Sequence, residues 1–374
     1  MRYLGDDLAP WWTRHWDSLT NMADWVYGDL ADAGAAATAL DRRVHDDAVA
    51  AVGGGTVGEH YAELCALAVR QAMGATELVD RDGSPGRSSG DLLQRQHVDR
   101  RRHLPSSPAY LYLSPAYLRL LLEPVLDYAE HGGWPMEFCL HDLGTHYPNA
   151  TGHDDGDEES MPVEESANML IMAAALVQRL PGGDADAFVT AHYAKLRAWA
   201  EYLVGNTLDP GNQNQTDDFT GFIAHSANLA LKGIIGVGAM GVLATAAGQG
   251  DDAARYTSVS RSYASQWVEL AMDSSREHLK LAYDQDGTWS LKYNGFSDRL
   301  LGLDLVPAGV ADLEADWYHG HVGAHGVVLD PRNPYTKADW ELWTAAWLAD
   351  RTSVRDALVE GVRSFAHTTP QRVR

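Results

Sequence analysis

Cysteine, basic residues and long apolar runs are all scarce in this chain, and each scarcity argues against a class of protein. The only two cysteines among 374 residues, Cys65 and Cys139, have apolar neighbours, so we expect buried free thiols rather than a disulfide framework or a zinc site. Lysine and arginine number 29 against 52 acidic residues, a formal net charge of −23, which argues against nucleic-acid and anionic-membrane partners. No apolar run is expected to reach the roughly 18 to 20 residues of a membrane helix.

Several familiar signatures are also missing from the sequence. It contains no P-loop, no HExxH and no GxGxxG that follows a strand, so the commonest nucleotide and zinc motifs are absent. No charged-then-apolar leader follows Met1, so no secretion signal is visible and the localisation stays unassigned. The GVGAMG motif at Gly236–Gly241 lies in a helical stretch, where its glycines predict close helix packing.

What is present is a succession of amphipathic helices. The composition is 45% hydrophobic and 22% charged, typical of a globular chain with a sizeable core. Apolar residues recur at helical spacing through most of the chain and predict about twelve helices. Short breaks such as PGGDAD and GQGDDA alternate with long polar loops. This alternation predicts an all-α fold, an (α/α)6 barrel of six helical hairpins with the long loops on one rim; an irregular helical bundle is the alternative.

Two segments do not match this pattern. Residues 1–18 carry the tryptophan-rich text WWTRHW with little to pack against, and we interpret them as the remnant of a linker from a missing upstream domain, with 19–374 as the six-hairpin domain. Residues 84–104 are crowded with arginine and lack periodicity. Permitted codons for residues 92–104 read SSNGNTSTVDVIY in the +1 frame, so our hypothesis is a frameshift, and an exposed basic loop is the alternative.

Carboxylates stand at the junctions where polar loops enter apolar helices. Two carboxyl groups in unlike surroundings can hydrolyse a glycosidic bond or an amide by acid–base chemistry. Asp142 and Asp339 are the leading pair, because aromatic neighbours of Asp339 can raise a carboxyl pKa. The alternative for Asp217 and for Asp339 is a helix N-cap. The reserve carboxylates at the other junctions are Glu164, Glu165, Asp217 and Asp218.

The same junctions contain polar and aromatic residues that can contact a substrate. These candidates are His141, His225, Asn228, Trp289, Tyr293, Asn294, Lys337 and Trp340. The alternative for the tryptophans is the helix core. The acidic run Asp154–Glu159 can hold Ca²⁺ through several carboxylates, but it lacks the EF-hand spacing and otherwise predicts a solvated loop. No other cofactor is expected.

Four long motifs resemble the glutaminase A family of fungi and bacteria. They are HDLGTHYPNATGHDDGDEESMPVEESANMLIM, LDPGNQNQTDDFTGFIAHSANLALKGI, YDQDGTWSLKYN and DPRNPYTKADWELWTA. The resemblance implies a six-hairpin domain similar to glucoamylase-like glycosidases, and hydrolysis of L-glutamine to L-glutamate and ammonia, usually by a secreted enzyme. Motif by motif, it places Asp142 in HDLG, Glu164 and Glu165 in MPVEE, Asp217 and Asp218 in TDDF, and Asp339 in KADW, without saying which two transfer protons.

The chain departs from the family in ways that leave other functions open. Members usually carry an upstream β-rich domain, so a separate β-domain polypeptide is an expected partner beside a small-molecule substrate. The text HVDRRRHL replaces the family's usual wording, and the family continues beyond the point where this chain ends. These departures suggest a fragment. The competing functions are a glycoside hydrolase on the same scaffold and an inactive remnant.

Overall fold

Helices dominate the computed structural model, which describes residues 2–3, 6–81, 84–89, 100–144, 149–215 and 220–369. The thirteen α-helices in these ranges are α1 Leu19–Gly28, α2 Leu30–Ala51, α3 Gly55–Gly74, α4 Arg100–Leu113, α5 Pro115–Glu130, α6 Pro162–Val177, α7 Gly182–Asn206, α8 Ala227–Ala246, α9 Gly250–Ala271, α10 Gly295–Leu301, α11 Ala308–His319, α12 Ala338–Trp347 and α13 Thr352–Thr368. The strands are β1 Arg2–Tyr3, β2 Asp6–Asp7, β3 Thr76–Arg81, β4 Ser84–Ser89, β5 Asn149–Ala150, β6 Asn212–Gln213 and β7 Ile223–Ala224.

The all-α prediction is confirmed: the described residues form thirteen α-helices, where the periodicity indicated about twelve. Helix α4 contains Pro105 and Pro108, and because proline has no N–H to donate and normally ends a helix, the sequence predicted none there. Helix α10 has only seven residues, too few for a periodic signal. The supposed basic loop is also shorter than expected, since β3 and β4 form an antiparallel hairpin. Residues 90–99, the centre of the frameshift hypothesis, lie outside the described residues.

The chain divides into two compact units. The first comprises Met1–Pro135 and Asp142–Asp157, with helices α1 to α5. Its core is supplied mainly by α5, where Leu118, Leu122 and several neighbours are fully buried. The remaining strands pair around β1, antiparallel to β2 and parallel to β5.

The second unit comprises Met136–His141 and Glu158–Arg374 and is built around α6 and α8. Both helices are buried on nearly every face, the pattern of a core helix. They approach closely because α8 is rich in glycine: a Cβ on Gly236 would lie 3.0 Å from the Cα of Ala167. The packing role predicted for the GVGAMG motif is therefore confirmed. The consecutive pairs α6–α7, α8–α9 and α12–α13 contact each other, as hairpins do.

Helix α8 corrects one expectation from the sequence. Among the described residues it is the one helix long and apolar enough to cross a membrane, with a hydropathy of 1.8. However, 83% of the apolar 18-residue stretch within this helix is buried inside the protein. A helix covered by protein in this way is typical of a domain core.

Candidate active site

The first turn of α6 places two adjacent carboxylates deep inside the second unit. Pro162 occupies the first helical position, where its missing N–H costs nothing. The N–H of Val163 donates to Gln213 Oε1 at 3.0 Å, which anchors the start of the helix. Glu164 and Glu165 follow, and both side chains are fully buried. The positive end of the helix dipole favours negative charge at this position.

Glu164 is paired with a cation from the neighbouring core helix. Lys232 Nζ on α8 donates to Glu164 Oε1, and both side chains are 0% exposed. Burying each charge removes its hydration, and the attraction between the two charges offsets this desolvation cost. Asn168 Nδ2 also donates to Glu164 Oε1 at 3.3 Å. The Lys232 ammonium lies 5.7 Å from the centre of the Trp340 ring, within range of a cation–π attraction.

Glu165 has different surroundings. Its Oε2 accepts from Asn168 Nδ2 at 3.3 Å, and its Oε1 lies 4.0 Å from His141 Nε2. The segment that carries His141 is attached to α6, because the N–H of Cys139 donates to Ser166 Oγ at 3.0 Å. One carboxylate therefore faces an ammonium and the other an imidazole, with Asn168 between them.

Aromatic and amide side chains from later junctions close the other side of this cluster. The rings of Tyr293 and Trp340 are stacked, with centroids 4.2 Å apart and planes at 16°. Lys337 Nζ lies 5.5 Å from the Trp340 ring centre. Asn294 Nδ2 donates to the backbone carbonyl of Asn228 at 2.9 Å. The starts of α8 and α12 and the loop before α10 thus meet beside the start of α6.

Asp339 lies at the edge of this cluster and is more exposed than the glutamates. Its Oδ1 accepts the N–H of Trp340 at 2.9 Å, and its Oδ2 lies 3.5 Å from Lys337 Nζ. The side chain is 32% exposed. The N-cap alternative for Asp339 is wrong, because Lys337 occupies the cap and Asp339 lies in the first turn.

Asp142 belongs to the first unit. Its Oδ1 accepts the N–H of Gly144 at 2.6 Å and lies 2.8 Å from His153 Nε2. It is 3% exposed. Asp217 and Asp218 lie outside the described residues.

Two other predicted contacts lie apart from the α6 cluster. His225 has a positive φ of 56°, and its Nδ1 lies 2.7 Å from Asp209 Oδ1 near the surface. The hydrogen bond to Asp209 raises the pKa of His225. Trp289 packs against His321, with ring centres 5.0 Å apart, and against the Tyr318 ring. The tryptophans of α12 are buried, as the core alternative predicted.

Glu341 follows Trp340 in α12 and is buried. Its Oε1 accepts the N–H of Val327 at 3.0 Å and the hydroxyl of Thr336 at 2.6 Å. Burial raises the pKa of Glu341 to about 8, against these two hydrogen bonds. The carboxyl group is therefore predominantly protonated at neutral pH.

Lys232 and Asn168 were missing from the predicted site residues, although the sequence contained a signal for the lysine. Lys232 is the single charged residue in the apolar sequence ANLALKGIIG. A lysine at the centre of a buried helix needs a carboxylate partner. The identity of that partner is not readable locally, because Glu164 lies 68 residues earlier.

Within the described part of the chain, no three His, Cys, Asp or Glu side chains are placed to hold a metal ion. The carboxylates of the acidic run have protein partners instead. Asp154 Oδ1 accepts the hydroxyl of Tyr128 at 2.6 Å, and Glu158 Oε2 accepts the N–H of His141 at 2.7 Å.

Comparison with known proteins identifies the relatives of this arrangement. Residues 58–374 match the family model described as the glutaminase A six helical-hairpin domain, which agrees with the predicted six-hairpin fold. The chain is 38% identical over 362 residues to "Glutaminase A" of Aspergillus oryzae, covering 96% of this chain and 51% of that protein. It is 29% identical over 449 residues to "Probable glutaminase" of Arthroderma benhamiae, covering 97% and 51%. The chain spans about half the length of these curated relatives.

Proposed function

The chain belongs to the glutaminase A family, and from this premise we propose that it hydrolyses the side-chain amide of L-glutamine to L-glutamate and ammonia. The relatives named as glutaminases support the choice of substrate. The reaction needs a base that activates water and an acid that protonates the departing nitrogen. Buried carboxylates in unlike surroundings are suited to both steps.

The observation that carries this proposal is the contrast between Glu164 and Glu165. Glu164 forms an ion pair with Lys232 and stabilises positive charge in the site. Glu165 Oε1 instead lies 4.0 Å from the His141 imidazole. We assign proton transfer to Glu165, with His141 as the group that positions it.

The proposed reaction proceeds through a tetrahedral intermediate. Glu165 accepts a proton as the water oxygen bonds to the amide carbon. The carbon–nitrogen bond then breaks while a proton passes to nitrogen, so that ammonia leaves and the carboxyl group remains. Atoms balance as water plus amide giving acid plus ammonia. Asp142 and Asp339, the leading pair of the sequence analysis, are the alternative proposal for the proton-transfer residues.

Ammonia release from L-glutamine tests the activity and the assignment together. Glu165→Gln should lower kcat by about 10²- to 10⁴-fold, the usual loss when a proton-transfer group is removed. Glu201→Gln is the matched control, because Glu201 pairs with Arg255 on the surface, and it should keep wild-type activity. Full activity in Glu165→Gln, with losses in Asp142→Asn and Asp339→Asn, would move the assignment to the alternative pair.

The glycoside hydrolase alternative has less support. It is supported by the six-hairpin scaffold alone, whereas both compared relatives are named as glutaminases. Turnover of an aryl glycoside in a substrate panel, without release of ammonia from glutamine, would replace the glutaminase proposal with this one.

A further inference from the structure

Four buried oxygen atoms around the Glu164–Lys232 pair have no hydrogen-bond partner within the described ranges. They are Glu164 Oε2, Asn168 Oδ1, Asn228 Oδ1 and Asn294 Oδ1. Their side chains are between 0% and 5% exposed. Buried polar atoms are nearly always paired, so a group of unpaired acceptors at one place needs an explanation.

The orientation of two of these amides follows from their partners. The NH2 group of Asn294 must face the backbone carbonyl of Asn228, since only a donor can bond to that oxygen. The NH2 group of Asn168 must face Glu164 and Glu165 for the same reason. In both asparagines the carbonyl oxygen therefore points away from the existing bond.

A series of contacts connects the residues that carry these oxygens. Asn228 precedes Lys232 by one turn of α8, so the two side chains share a helix face. Lys232 contacts Glu164, Asn168 contacts Glu164 from within α6, and Asn294 is bonded to Asn228. The residues that carry the four oxygens are thus connected, through these contacts and the shared face of α8, to the Glu164–Lys232 ion pair.

The charge of the cluster indicates what it can bind. Among the described residues that form it, Glu164 and Glu165 supply two carboxylates and Lys232 one ammonium. One negative charge is therefore in excess. Unpaired acceptors with excess negative charge are complementary to a cation that has several N–H donors, and a primary ammonium has three.

We propose that Glu164 Oε2 and the carbonyl oxygens of Asn168, Asn228 and Asn294 bind the α-ammonium group of the amino-acid substrate. This assignment rests on the proposed function, because it uses the same buried site. Asn294 is then a specificity-determining residue, because it contributes an oxygen to the ammonium site but is not one of the two α6 glutamates used in the proposed reaction. A site that must pair these oxygens discriminates against a ligand with no ammonium.

Two substrates that differ only in the ammonium group test this assignment. Glutaramate has the same side-chain amide and carboxylate as L-glutamine, but hydrogen replaces its α-amino group. The wild type should prefer L-glutamine in kcat/KM by at least about 100-fold. Asn294→Leu should lose about 10- to 100-fold on L-glutamine, the loss expected for a hydrogen bond to a charged group, and little on glutaramate.

A second variant separates recognition from packing. Asn294→Asp keeps an acceptor oxygen but lacks the NH2 group that donates to the Asn228 carbonyl, so it should retain the preference for L-glutamine. Asn206→Leu is the control, because Asn206 is exposed and bonds only to the Tyr202 carbonyl in its own helix. Equal losses on both substrates, or an Asp variant that behaves like the Leu variant, would overturn the assignment.

Binding of L-glutamate and glutarate, measured by calorimetry on the wild type, separates this inference from the proposed function. Tight binding of L-glutamate and weak binding of glutarate would support the ammonium site even if glutamine is not hydrolysed. Equal binding of the two would overturn it, as would binding that depends on added Na⁺, K⁺ or Ca²⁺ rather than on the ligand's ammonium. The wild-type comparison decides the outcome even if the Leu variant does not fold.

Discussion

Replacing Lys232 by methionine tests the most buried electrostatic contact of the second unit. Methionine has a similar length but no charge, so the change leaves the carboxylate of Glu164 buried without its cation. The remaining described contact to that carboxylate is the amide of Asn168 at 3.3 Å. Removing one partner of a buried pair typically costs about 3–5 kcal/mol. The stability of a whole domain is about 5–15 kcal/mol, so this loss is a large fraction.

Urea unfolding followed by tryptophan fluorescence measures the effect. With a slope of about 1–3 kcal/mol per molar urea, the midpoint should fall by about 2 M. The double variant Lys232→Met, Glu164→Gln should recover much of the stability, since neither charge then remains.

The surface pair Arg299–Asp350 supplies the control. Its side chains are 44% and 67% exposed, so Arg299→Met should cost at most about 1 kcal/mol. A Lys232→Met loss no larger than this control would refute the reasoning. So would a double variant that is as unstable as the single one.

Two further predictions concern buried positions. The pKa of Glu341 is about 8 in the folded protein, against about 4.3 for an unfolded glutamate. Between these two pH values the folded state binds more protons than the unfolded state, so the free energy of unfolding falls as the pH rises. Glu341→Gln should flatten that decline and raise the melting temperature at pH 8; an unchanged pH profile would contradict the assigned burial. Gly236→Ala should lower the free energy of unfolding by about 1–3 kcal/mol, because its Cβ would lie 3.0 Å from the Ala167 Cα. The control Gly205→Ala adds its Cβ in open space and should raise the free energy of unfolding by up to about 1 kcal/mol in urea unfolding. Equal effects of the two changes would show that α6 and α8 are not in close contact.

The helices were largely predictable because their signal is local. Helical periodicity indicated about twelve helices, close to the thirteen in the described residues, since a packed helix buries one face or all of its surface. The failures also have local causes: the two prolines in α4 forbade a helix by rule, and α10 was too short to show a period.

The candidate site was predictable only in part. Glu164 and Glu165 were identified because acidic residues at a helix start stand out against an apolar helix. The exposure of His225 and its pairing with Asp209 were not foreseeable, because the position depends on a loop with positive φ. Lys232 was overlooked because, without a known partner, a lysine within an apolar helix only interrupts the hydrophobic pattern and does not indicate a site.

By itself the sequence determined the helical class, the family resemblance and the junctions where polar residues enter buried helices. These depend on spacing between near neighbours, which the backbone geometry of a helix converts directly into faces. Only the tertiary structure decided which charges meet. Glu164 finds Lys232 across 68 residues, and Asn294 reaches Asn228 across 66. Such contacts arise from the packing of α6 against α8, and packing depends on the whole unit rather than on any local stretch.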